Sequence, residues 1–151
     1  MKNIVLGLIL IISTNCSTTP EPIKYGHESC DKCRMQIMDP KYGTELVTSK
    51  GKVYKFDSVE CLAFFAKNMN DDKNSTLWVT DFSNNNELVD KNKAFFLLSE
   101  KLRSPMGLNL TAFSSQNELD KLKEQYQGKE ITWDELIEYV NHEWKNKRMH
   151  H

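Results

Sequence analysis

Four cysteines, at positions 16, 30, 33 and 61, constrain this 151-residue chain more than any other feature. An even count in a small exported chain favours two disulfides, whereas inside the cell the same residues point to metal or redox chemistry. The N-terminus therefore decides how they are read. Lys2 precedes an unbroken apolar run, Ile4 to Ile12. Such a run falls short of the about 20 residues that cross a bilayer as a helix. A basic start, a run of this length and small polar residues after it describe a secretory signal peptide, here residues 1–15. Cys16 follows at the place where a bacterial lipobox carries its acylated cysteine. Ser13 and Asn15 stand where the usual pattern has Leu and a small Gly or Ala. The expected product is an exported protein with its lipid anchor on Cys16, in the cell membrane or outer membrane, facing the periplasm. An ordinary signal peptide cut nearby would instead leave Cys16 as a free thiol. Acylation leaves three thiols, and that odd number argues against a fully disulfide-bonded fold.

Apolar residues make up 39% of the chain and charged residues 27%, which is globular rather than disordered or fibrous. The net charge of −1 lacks the excess of Lys and Arg that a nucleic-acid backbone binder needs. The length suits one domain or two very small ones.

The pattern after the signal predicts an α+β fold. Residues 16–26, with Pro20 and Pro22, read as an extended, unpacked tether. A first unit covers 27–82. In it Thr44–Thr48 and Val53–Phe56 are strands joined by the Ser49-Lys50-Gly51-Lys52 turn. Asp57 and Glu60 form a capping-box pair opening a helix to Asn68, and Leu77–Phe82 is a third strand. Val59, Leu62, Ala63 and Ala66 mark one apolar face of the helix; Cys61, Phe64 and Phe65 mark another. Residues 83–92 read as an Asn-rich linker. A second unit, 93–131, repeats the order as ββα(β), with strands at Ala94–Leu98 and Leu108–Phe113. Ser115 and Glu118 are its capping pair, and Gly128 stops its helix. The two units read as a weak internal duplication. Residues 132–151 form a third helix and a frayed basic tail, with Thr132 and Glu135 as a capping box and an apolar stripe from Trp133 to Trp144.

The chemistry concentrates in His27-Glu28-Ser29-Cys30-Asp31-Lys32-Cys33-Arg34-Met35. A C-x-x-C turn brings two sulfurs together, and Met35 adds a thioether. Thiolates and thioethers are soft donors that select Cu(I) over harder ions. A second thioether, Met106, sits in the Ser104-Pro105-Met106-Gly107 turn, outside any apolar stripe. Cys61 is either a buried apolar residue or a third thiolate. His27 with Cys61 and the Cys pair would make a zinc set. Two other readings of Cys30 and Cys33 remain: a structural disulfide, or the redox pair of a membrane-anchored thiol–disulfide oxidoreductase. The latter wants its first Cys at a helix N-terminus, and no helix opens here. No phosphate loop, nucleophile elbow or H-E-x-x-H motif is present, so no enzyme activity is expected.

These segments together resemble the NosL family, copper-binding lipoproteins that accompany bacterial nitrous-oxide reductase. The resemblance rests on the lipoprotein start, Cys30-Asp31-Lys32-Cys33-Arg34-Met35, the strand pair into Phe56-Asp57, Leu77-Trp78-Val79-Thr80-Asp81-Phe82, and Ser104-Pro105-Met106-Gly107 through Ala112-Phe113-Ser114-Ser115. It implies two small ββαβ units in tandem, treble-clef-like as in organomercurial lyase, plus the C-terminal helix. It implies one bound Cu(I), with Cys30, Cys33, Met35 and Met106 as ligand candidates. The implied role is a copper chaperone for the copper–sulfide centre of nitrous-oxide reductase. Its partners would be that enzyme or its assembly factors, a copper donor protein, and the membrane through the lipid. The family often has Gly where this chain has Arg34, which restricts the backbone between Cys33 and Met35.

Overall fold

The computed structural model describes residues 18–69 and 74–149; the signal run, Cys16, His150 and His151 lie outside them. The elements in order are β1 (Thr44–Val47), β2 (Val53–Phe56), α1 (Val59–Asn68), β3 (Thr76–Thr80), β4 (Leu88–Asp90), a single 3₁₀ turn (Lys91–Lys93), β5 (Phe95–Leu98), β6 (Leu110–Phe113), α2 (Gln116–Tyr126), β7 (Lys129–Ile131) and α3 (Trp133–Met149). They form two small antiparallel sheets, ordered β2-β1-β3-β4 and β6-β5-β7.

The duplication is real in topology. In each unit the first strand is central, the second pairs on one side, and the strand after the helix pairs on the other. The expected second unit is complete, because β7 supplies the strand that pattern alone left in brackets. A main core joins both sheets through Phe56, Leu62, Val79, Leu110, Leu136 and Val140. A smaller cluster of Leu97, Leu102, Phe113 and Leu119 seats α2. The two apolar faces of α1 are both used: the helix lies against the first sheet, and Phe64 meets Trp144 of α3 at 5.1 Å between ring centres. The Thr132 capping box forms in full, with Glu135 N–H donating to Thr132 Oγ1 (3.3 Å) and Thr132 N–H to Glu135 Oε2 (2.7 Å).

Several expectations need correction. Residues 18–26 are not an unpacked tether. Thr76 Oγ1 donates to the Thr18 carbonyl (2.8 Å), Glu21 N–H donates to Glu45 Oε2 (2.9 Å), and Lys55 Nζ donates to the Pro22 carbonyl (3.1 Å). Ile23 and Tyr25 pack on the core. At Gly43 any Cβ would collide with Tyr25, 2.5 Å from its Oη. This strap lies on the face of the first sheet that carries Glu45, Lys55, Thr76 and Trp78, while α1 takes the opposite face. All four residues of β1 are consequently buried. A strand covered on both faces need not alternate, so its sequence pattern does not announce this burial.

The linker 83–92 contains β4, which pairs with β3 and widens the first sheet. Two capping boxes do not form: the N-caps are Ser58 and Ser115, and neither makes a side-chain cap bond. Glu60 is drawn into the core instead, where Ser104 Oγ donates to its Oε1. The left-handed residue ending α2 is Gln127, not Gly128. Gly128 is needed for closeness, since a Cβ there would lie 2.6 Å from Leu97 Cδ1.

Burial under the strap pushes the Glu45 carboxyl up to about 7, only partly offset by the Glu21 amide and Lys55. A raised carboxyl favours the folded state while protonated. Its contribution is intact below the ordinary value of 4.5 and is lost as pH rises through about 7. Between pH 4.5 and 7.5, urea unfolding should show wild type losing roughly 2–3 kcal/mol relative to Glu45→Gln.

Candidate metal centre

The residues around Cys30 form a miniature hairpin. Ser29 bridges Gln36, Ile37 N–H donates to the Glu28 carbonyl (2.9 Å), and Cys30 N–H to the Met35 carbonyl (2.8 Å). Fully buried Ile37 anchors it to the core. The turn between the arms closes through Arg34 N–H to the Cys30 carbonyl (2.9 Å). That closure needs Arg34 in the left-handed region, at φ 67°. The position thus has the backbone that a glycine adopts freely, and Arg34 holds it at a cost.

Asp31 fixes the hairpin to the outer edge of β2. Its N–H donates to the Lys55 carbonyl, and Lys55 N–H returns to Asp31 Oδ2, both at 2.8 Å. Cys30 and Cys33 therefore stand beside the end of β2, where Asp57 follows Phe56 and the first turn of α1 presents Cys61. One ligand atom from each of Cys30, Cys33, Asp57 and Cys61 lies within 4.8 Å of all the others. Donors each about 2.3 Å from a single ion stand about 3.8–4.6 Å apart, so the set closes on one ion with little movement. Cys30 and Cys61 are fully buried and Asp57 nearly so; Cys33 is half-buried and gives access. All three thiols are free, so there is no Cys30–Cys33 disulfide.

The thiols share their protons unequally. The Cys61 thiol donates to Cys30, and the Cys33 amide points at the same sulfur (3.5 Å). Cys30 falls to about 6 as a result, against the effects of burial and Asp57. Burial lifts Cys33 to about 11, and its thiol donates to Asp57 Oδ2 (3.5 Å). Cys61 is pushed far up by donating to Cys30, by burial and by Asp57. The pocket thus sets the lowered Cys30 thiol beside the buried Asp57 side chain.

The other candidates are placed as follows. His27 is exposed and does not belong to the cluster. Met35 follows the hairpin turn with its side chain 53% exposed. Met106 is half-buried against the core that contains Cys30 and Cys61. Asp57 was missed, because its place before a helix reads as a cap. The signal that it was something else is Ser58 next to it, an equally good cap one residue closer to the apolar periodicity.

A comparison at the level of families matches NosL over residues 23–140. The chain belongs to the NosL family. Among solved structures, the crystal structure of the copper chaperone NosL from Shewanella denitrificans matches with a TM-score of 0.65 at 24% identity. The match covers 79% of this chain and 96% of that one, so the two share a fold. No curated protein matches the chain. The NosL family match begins at Ile23, inside the strap, in keeping with a fold that starts before the hairpin.

Replacing Arg34 by Gly should stabilise the protein by about 0.5–1 kcal/mol, the relief of left-handed strain less the added freedom of the unfolded chain. Thermal unfolding of the two proteins measures it, and an equal or lower midpoint for the variant contradicts the strain.

Proposed function

We propose that this chain is a periplasm-facing Cu(I) carrier, anchored through Cys16, that delivers copper to nitrous-oxide reductase or its assembly factors. The observation that carries this reading is the cluster of three sulfurs and one carboxylate at the end of β2, closed by burial on all sides but that of Cys33. Cys30, Cys33 and Cys61 supply thiolates that suit Cu(I). Met35, two residues after Cys33, and Met106 are the candidate thioether donors. An accessible Cys33 gives a partner's ligand a first point of exchange, while the buried pair retains the ion until the exchange completes. Family membership supports the copper role, and the relative in Shewanella denitrificans is described as a copper chaperone.

A thiol–disulfide oxidoreductase is less well supported. Such an enzyme exposes its low-pKa cysteine at a helix N-terminus. Here the low-pKa thiol, Cys30, is fully buried in a turn, and the more accessible Cys33 is shifted the other way. Zinc would accept four donors of this kind, so competition between the ions is part of the test.

Anaerobic titration of the reduced domain with a chromogenic Cu(I) chelator should show one equivalent bound and no displacement by excess zinc. Cys30→Ser and Cys61→Ser should each weaken binding by about 100-fold or more, roughly the loss of one buried charged ligand. Met106→Ala should have a smaller effect. Unchanged affinity in the Cys30/Cys33 double variant would sink the proposal. Because Cys33 and Cys61 bind metal only after losing protons, apparent affinity should climb by about tenfold per pH unit for each proton displaced, roughly 100-fold per proton between pH 6 and 8. A flat profile would show that neither thiol is a ligand.

A further inference from the structure

The strap changes what a lipid on Cys16 would do. A free tether of about ten residues would let the domain wander over tens of ångströms. In this structure the chain is already docked at Thr18, with Ser17 alone between it and Cys16. Two residues reach at most about 7 Å. The docking point is fixed in turn. The Trp78 indole N–H donates to Thr76 Oγ1 (3.0 Å), whose hydroxyl donates to the Thr18 carbonyl (2.8 Å).

Strand register says which end of the molecule this is. Thr76 is opposite Val47, and Val47 is opposite Val53, so Thr18 sits at the end of the first sheet that carries the exposed Ser49–Lys52 turn. From there the strap runs along the sheet past Glu45 to Tyr25 beside Gly43, and then enters the cysteine hairpin. Phe56 is opposite Thr44, and Thr44 is opposite Val79. The sulfur cluster therefore lies at the other end of β2, about 10 Å further along the strand axis at 3.3 Å per residue. Pro40, whose carbonyl accepts from Asn86 N–H, belongs to that same far end.

We infer that the strap makes the anchor short and stiff, so that the domain rides with its Ser49–Lys52 end against the lipid headgroups and its metal centre turned away from them. The partner surface is the leaflet that holds the acyl chains. The inference rests on acylation of Cys16, which belongs to the function proposed above. It implies that copper is exchanged on the side of the domain remote from the bilayer, with proteins that reach over it from the periplasm.

The test uses the acylated, ¹⁵N-labelled full chain in nanodiscs of phosphatidylethanolamine and phosphatidylglycerol, with a trace of lipid bearing a gadolinium chelate on its headgroup. Amides of residues 49–52 should lose more than half their intensity, while those of Asp39, Lys41 and 84–86 keep most of theirs. Inserting a ten-residue Gly-Ser segment between Ser17 and Thr18 should abolish the difference. Equal attenuation at both ends without the insertion, or the reverse pattern, overturns the inference. So does an insertion that leaves the pattern unchanged, since the strap would then not set the orientation. Mass spectrometry showing an unmodified Cys16 removes the premise and is distinguished from a failed orientation before any nanodisc is made. Copper binding by the same protein, followed separately, is unaffected by any of these outcomes.

Discussion

Strand β1 is buried along its whole length because two different segments cover its two faces, and the rest of the structure follows from that sandwich. On one face α1 packs its Val59, Leu62 and Ala63 stripe. On the other the strap lays down Glu21 to Tyr25. Both segments are tied by short connections to the same end of the edge strand β2. The chain leaves β2 at Phe56 and enters α1 three residues later, which delivers Asp57 and Cys61. The strap leads into the hairpin that grips β2 through Asp31 and Lys55, which delivers Cys30 and Cys33. Four donors from two distant stretches of sequence meet because each stretch covers one side of a single strand.

The arrangement charges the protein for its burial in two places. Glu45 sits under the strap with its carboxyl shifted up, and Lys55 answers it at 3.8 Å while holding Glu28 at 2.9 Å. The sulfur pocket gathers three thiols and the Asp57 side chain largely out of water. The first strain is structural and permanent. The second sets four donor groups where a single cation could join them. A site with two buried sulfurs and one accessible sulfur, Cys33, whose thiol burial holds high, suits loading and unloading by ligand exchange.

Much of this was legible in the sequence where the cause is local. The two ββαβ orders came from turn residues and from the switch between period 2 and period 3.6, and the Thr132 capping box from residues three apart. The C-x-x-C turn announced two of the three sulfurs, and Cys61 was visible as an undecided third. What escaped depends on contacts distant in sequence. Glu45 alternates like a surface residue, and its burial arises only from the strap arriving 24 residues earlier in the chain. Glu60 reads as half of a capping box, yet Ser104, 44 residues on, draws it inward. Asp57 reads as a cap until the hairpin brings Cys33 against it. The Arg34 backbone is the reverse case: the departure from Gly pointed to a constrained dihedral, and the left-handed φ is there.

The central claim is that the sulfurs gathered at the end of β2 hold copper as Cu(I). Copper K-edge absorption of the anaerobically loaded domain tests it most directly. The account predicts the edge shape of Cu(I) and a first shell dominated by sulfur, with at least one sulfur lost in the Cys61→Ser protein. A first shell of nitrogen and oxygen, or a sulfur shell identical in that variant, would contradict it.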